Sequence, residues 1–136
     1  MSLEVHVVTP EKDLWSGEAT LVIAHGVEGD VGILQGHAPM LIRLGISPLR
    51  VQRDGEEVDA VVDGGFLHVT SEGDVTRVDV MASGAALAGD IDRAREEARR
   101  QEMEERLHAD ADDEEAKAEL QKATARLTLA QSSGTA

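Results

Sequence analysis

Hydrophobic and polar positions alternate with period two through the first part of the chain, then change to spacings of three and four. Leu3-Glu4-Val5-His6-Val7 and Val75-Thr76-Arg77-Val78-Asp79-Val80 alternate strictly, as strands with one buried face do. Residues 46–53 and 57–62 flank Asp54-Gly55, a pair suited to the positive φ angles of a tight hairpin turn. Residues 66–70 and 75–81 flank a second turn, Ser71-Glu72-Gly73-Asp74. Residues 20–24 and 40–44 are shorter and more continuously apolar, which predicts strands buried on both faces. Eight or more short strands with turns this frequent predict a sandwich or barrel.

Beyond residue 86 the pattern is helical. Asp90 is the expected cap of a first helix whose apolar stripe is Ile91, Ala94, Ala98 and Leu107. Residues 108–111 form a connection, and Asp112 or Asp113 caps a second helix with Glu114 and Glu115 in its first turn. Ala116, Leu120, Ala123, Leu127 and Ala130 follow at spacings of 4, 3, 4 and 3. That is a coiled-coil seam, and the short connection makes the pair an antiparallel hairpin. Residues 131–136 are expected to fray.

Composition changes at the same place. All 14 valines and 11 of the 13 glycines lie in residues 1–85, whereas residues 86–136 hold 12 alanines and no valine. Valine favours strands and alanine favours helix. The expected organisation is α+β: a β-sandwich over 1–85 and a helical hairpin over 86–136. Trp15 and Phe66 are the only aromatic residues, so the core must be aliphatic.

The formal net charge is −14, which argues against nucleic acid or an anionic membrane surface as a partner. No cysteine is present, so disulfides, thiolate metal sites and a cysteine nucleophile are excluded. The longest stretch without a charged side chain, residues 31–42, is far short of the roughly 20 apolar residues of a spanning helix. The amino-terminal residues lack the basic and apolar regions of a secretory signal. These features predict a soluble, cytoplasmic protein. The five histidines have no i, i+4 pairing on a helix, no P-loop occurs, and no serine sits in a nucleophile elbow. No metal site and no catalytic site is expected.

One segment is distinctive. Gly29-Asp30-Val31-Gly32-Ile33-Leu34-Gln35-Gly36-His37-Ala38-Pro39-Met40 resembles the Gly-acidic-x-Gly-Ile-x-Pro-Gly-His-Ala-Pro signature of the ε subunit of F-type ATP synthase. Val7-Val8-Thr9-Pro10-Glu11, Trp15-Ser16-Gly17, Gly64-Gly65-Phe66-Leu67-His68-Val69 and Ile91-Asp92-Arg93-Ala94-Arg95 resemble other stretches of that family in the same order. Gln35 stands where the family has proline, and Met40 where leucine is common.

The resemblance implies a ten-stranded sandwich and a non-catalytic subunit of a rotary central stalk. Such a subunit helps couple proton flow to ATP synthesis and restrains ATP hydrolysis through its carboxy-terminal helices. Implied partners are the γ subunit, the ring of c subunits and the α/β catalytic head. The implied place is the cytoplasmic face of the cell membrane, peripheral and without insertion. Glu28, Asp30 and His37 are the candidates for the c-ring side, and Arg99, Arg100, Arg106, Lys122 and Arg126 for the catalytic head. Some bacterial members bind ATP on the hairpin, and the matching residues here are Ile91, Asp92, Arg95, Lys122 and Arg126. Glu96 replaces the motif's alanine and Ala86 an upstream acidic residue, so no cofactor is required and any ATP site is expected to be weak. The alternative from another class is a free-standing nucleotide-sensing module, which would need that hairpin site intact.

Overall fold

The computed structural model describes residues 2–132. Eight strands come first: β1 (Ser2–Val8), β2 (Asp13–Ala19), β3 (Leu21–Gly26), β4 (Gly29–Ile33), β5 (Met40–Arg53), β6 (Glu56–Glu72), β7 (Val75–Ala82) and β8 (Ala85–Leu87). A 3-10 turn, Ala88–Asp90, leads to the helices α1 (Arg93–Ala109) and α2 (Glu114–Ser132). The pairing order is β2-β1-β7-β6-β5-β3-β4, with β8 also on β6. All of these pairings are antiparallel except β1 with β7.

Two long strands turn this ribbon into a sandwich. β5 and β6 pair along almost their full lengths in one register, with a break in the pairing at Gly45 and Gly64 between Leu44↔Gly65 and Ile46↔Asp63. On one side of that break β6 pairs with β7 through residues 65–72; on the other it pairs with β8 through residues 60–62. β1, β7 and β3 nevertheless bury Val5, Val80 and Val22 in one common core, so the paired strands fold over onto themselves. Counting each half of β5 and β6 separately gives the ten strands that the resemblance implies. Gly64 and Gly65 sit at the fold-over with φ of 85° and 137°, conformations that side chains with a Cβ rarely adopt. Gly65 has no room for one either, since a Cβ there would collide with the Met81 carbonyl oxygen and lie 2.8 Å from the Ala82 Cα.

The core is aliphatic, as the composition requires. Leu3, Val5, Val7, Leu67, Val69, Val78 and Val80 are each at most 2 % exposed. The strands at 20–24 and 40–44 are buried on one face only, contrary to the pattern. Val22 and Ala24 enter the core while Leu21 and Ile23 are half-buried; Ile42 and Leu44 point inward while Leu41 is 63 % exposed. An apolar residue on the open face of a sheet imitates a two-faced strand in the sequence. β2 and β4 were not among the segments that the alternation picked out as strands, because glycine and charged residues dilute their pattern.

The helices form where expected, with corrections to the α1 cap, its buried stripe and the helix ends. Asp90 ends the 3-10 turn; the cap of α1 is Asp92, whose side chain accepts from the Arg95 N–H at 3.1 Å. Ala94 and Ala98 are exposed, and the buried residue of α1 is Met103. Burying a methionine removes more apolar area from water than burying either alanine. The connection is displaced from residues 108–111 to residues 110–113, because α1 continues to Ala109 and α2 starts at Glu114. Asp113 rather than Asp112 caps α2, accepting from the Ala116 N–H at 3.0 Å. On α2, Ala116 and Ala123 are fully buried, as is Leu129, while Leu120, Leu127 and Ala130 are half-buried. α2 reaches Ser132, so residues 131 and 132 of the expected frayed tail are helical, and residues 133–136 lie outside the described residues.

Candidate docking surfaces and the hairpin interface

The distinctive glycine-rich segment builds a hairpin tip. β3 and β4 pair from Val22↔Ile33 to Gly26↔Gly29, leaving Val27 and Glu28 at the turn. The Val27 N–H donates to the Arg43 carbonyl at 2.9 Å, which ties the tip to β5. His25 Nδ1 donates to Asp30 Oδ1 at 2.6 Å across the two strands. Glu28 and Asp30 are exposed and rim an open cleft of about 540 Å³ lined by Val27, Leu41, Ile42, Arg43 and Phe66.

His37 is not at this tip. It follows the other end of β4, where its N–H donates to the Leu34 carbonyl at 3.0 Å and its Nδ1 to the Ala38 carbonyl at 2.7 Å. The neighbouring Gly36 N–H donates to the buried Thr76 hydroxyl of β7 at 2.7 Å. The fold therefore brings Glu28 and Asp30 together and separates His37 from them.

An apolar face beside the tip escaped the sequence reading. The register places Arg43, Phe66 and Met81 side by side across β5, β6 and β7. Phe66 is 48 % exposed and Met81 43 %, with Leu41 in the adjoining row. The signal was present in the alternation: Leu67 and Val69 point inward, so Phe66 must point out. Large apolar side chains grouped on an open sheet face mark a contact surface.

The basic residues of the hairpin are mostly engaged within the chain. Arg99 reaches Glu119 of the opposite helix at 3.2 Å, and Lys122 lies 3.9 Å from the same carboxylate. Arg100 pairs with Glu97 and, at 2.7 Å, with Glu104. Arg106 spans the connection to Asp113 at 2.8 Å and Glu115 at 3.3 Å. The Ala116 N–H, followed by the Arg106 guanidinium, holds the Asp113 carboxyl below its ordinary range. Arg126 makes the one bidentate bridge to the sandwich among the described residues, with both Nη atoms 2.8 Å from the Asp63 carboxylate. The hydrogen bond to Asp63 pushes the Arg126 guanidinium further up despite its burial, helped by the negative fields of Glu96 and Glu119.

The five residues matching the nucleotide motif do not assemble into an open site. Asp92 is occupied as the α1 cap, and Arg126 is held by Asp63. Ile91 lines a separate cleft of about 640 Å³ with Trp15, Asp59, Asp90 and Arg93. Arg93 closes one side of that cleft by donating to the Ala130 carbonyl at 3.0 Å. Arg95 is exposed, and among the described residues its guanidinium has no ion pair. No cluster of His, Asp or Glu able to hold a metal occurs among the described residues.

Comparison with known proteins matches this architecture. The family described as "ATP synthase, Delta/Epsilon chain, beta-sandwich domain" matches residues 2–88. The ATP synthase epsilon chain of Chromohalobacter salexigens is 43 % identical over 134 residues, covering 96 % of this chain and 92 % of that one. The epsilon chain of Thermobifida fusca is 42 % identical, with 94 % and 91 % covered. The fold also resembles a chain in the mitochondrial ATP synthase of Euglena gracilis, solved as an OSCP/F1/c-ring assembly. That likeness has a TM-score of 0.73 at 20 % identity and covers 89 % of this chain and 76 % of the other. Since the similarity runs through the sandwich and on into both helices, the chain belongs to the ATP synthase epsilon chain family.

Proposed function

We propose that this non-catalytic subunit works in the rotor of a proton-translocating ATP synthase. It helps couple proton flow to ATP synthesis from the central stalk and restrains hydrolysis through α1 and α2. The observation that carries this reading is the near full-length similarity to ATP synthase epsilon chains across both the sandwich and the helices. The exposed Leu41, Phe66 and Met81 suit a mostly apolar partner, which we assign to the γ subunit. Glu28 and Asp30 at the tip suit polar loops of the c ring, whereas His37, at the other end of β4, lies apart from that contact. Of the candidates for acidic segments of the catalytic head, Arg99 and Arg126 become available when the hairpin opens and releases Glu119 and Asp63; Arg100 and Lys122, paired on their own helices, and Arg106, paired across the connection, meet the head by exchanging partners.

Attachment to the membrane sector is peripheral in this reading, on the cytoplasmic face. Among the described residues no helix is long and apolar enough to cross a membrane. The nucleotide-sensing alternative is disfavoured because Asp63 already occupies the Arg126 guanidinium.

Co-purification with tagged γ tests the assignment. The full chain and a version ending at Ala88, which keeps β8, should both be retained. ATP hydrolysis by the complex reconstituted with the shorter version should match or exceed that with the full chain. Failure of both versions to bind γ would sink the stalk assignment.

A further inference from the structure

We propose that the Asp63–Arg126 pair is a latch that sets the docked position of the helical hairpin, with Gly84 as the residue that makes room for it. This rests on the reading of the hairpin as a moving element and names what holds it. The two side chains come from parts of the chain 63 residues apart and are only 9 % and 14 % exposed. The paired, parallel bonds of guanidinium to carboxylate fix orientation as well as distance.

The surroundings of Asp63 are shaped for that contact. Its N–H donates to the Gly84 carbonyl at 2.8 Å. A Cβ at position 84 would lie 2.7 Å from Asp63 Oδ2, the oxygen that accepts from Arg126 Nη2. Any larger residue at position 84 must therefore displace the carboxylate from its partner. Apolar packing offers little competing direction. Among the described residues the fully buried side chains of the two helices are Met103, Ala116, Ala123 and Leu129, and two of these four are alanine.

A buried pair of this kind suits a switch. Opening the hairpin returns both charges to water, so the net contribution of the pair to docking is modest. Removing one partner is different, because docking then buries the other charge uncompensated. Arg126 also lies in the field of Glu96 and Glu119, so its charge persists in the docked form. The latch opens when another anion takes Arg126 or another cation takes Asp63, and both events expose a charged surface on α2.

The absence of cysteine makes the test direct. Ser71→Cys and Gln121→Cys place two spin labels at exposed positions, one on the sandwich and one on α2, in the full chain. Pulsed electron resonance then reads the docked and open distances. Arg126→Met should raise the open-to-docked ratio about tenfold or more, and Asp63→Asn and Gly84→Ala should act in the same direction. The Asp63→Asn/Arg126→Met double variant buries no charge and should return to within about threefold of the parent. An unchanged distance distribution in Arg126→Met, or a double variant as open as the two single effects combined, would overturn the latch. Arg126→Met decides alone if a change at Asp63 disturbs the sheet, since position 126 lies outside the sandwich. The stalk assignment stands or falls separately, on γ binding.

Discussion

The sandwich and the hairpin are held by different physics. In the sandwich, leucine, isoleucine and valine side chains from β1, β3, β4, β5, β6 and β7 share one core, and each fully buried one contributes about 1.5–3 kcal/mol. Among the described residues of the hairpin the large buried ones are only Met103 and Leu129, and the helices are laced by pairs such as Arg99–Glu119 and Arg106–Asp113. Those pairs are partly exposed, and exposed pairs contribute about 0–1 kcal/mol each. A segment with few buried apolar contacts opens at low free energy while a well-packed one does not. The same chain thus carries a rigid scaffold for constant contacts and a loosely held element whose position can change.

The largest expected effect strikes the scaffold. Gly65→Ala puts a Cβ against the Met81 carbonyl at a φ of 137°, and neither β6 nor β7 can retreat without losing ladder bonds on both sides. The expected loss is about 3 kcal/mol of unfolding free energy, measured by denaturant titration with the slope unchanged. Hydrogen exchange should rise in β6 and β7. A loss confined to α1 and α2 would reverse the comparison, making the hairpin the region that depends on the fold-over.

Much of this division could be read from the sequence, and the gaps have physical causes. Alternation in β1 and β7 names the inward side chains directly, because every second residue must meet the core. The joining of 40–44 to 46–53 and of 57–62 to 66–70 was hidden by Gly45 and by Gly64-Gly65. Glycine ordinarily marks a turn, and here it lets a paired strand bend without ending. Candidate site residues were recognisable by motif, but their partners were not. Asp63 and Arg126 are distant in sequence and neither sits in a local pattern that predicts the other. Met103 was missed because a stripe drawn through Ala94 and Ala98 has the right period and the wrong phase.

A smaller effect sharpens the comparison at the seam between the regions. Asp59 is 7 % exposed and its Oδ1 has no hydrogen-bond partner. Burial raises its carboxyl above the ordinary 3.8, Glu57 adds to the rise and Arg50 opposes it. The folded state thus favours the neutral acid. No penalty applies below the ordinary value; it grows as pH rises through the raised value and is constant above it. Asp59→Asn removes the titration. Relative to the parent, the variant should gain about 1 kcal/mol between pH 3 and pH 7, read from thermal unfolding at both. Parallel stability profiles would show that Asp59 is not penalised in the folded chain.

The smallest effect concerns Arg95, the exposed cation of the nucleotide motif. Position 95 is on the first turn of α1, and the Asp92 carboxylate that a nucleotide would need already accepts the Arg95 backbone N–H at 3.1 Å. The alanine side chain leaves that backbone bond intact and removes only a guanidinium without an ion-pair partner, so Arg95→Ala should change stability by less than about 0.5 kcal/mol. A bound ATP would have to draw Arg126 away from Asp63 while meeting the negative fields of Glu96 and Glu119. The −14 net charge of the chain further opposes an anion at low salt. Titration calorimetry of the full chain should therefore give a dissociation constant of about 1 mM or weaker, equivalent to roughly −4 kcal/mol, and Arg95→Ala should barely alter the heat. A micromolar constant lost in Arg95→Ala would mean that nucleotide, rather than Asp63, is the natural partner of the hairpin arginines.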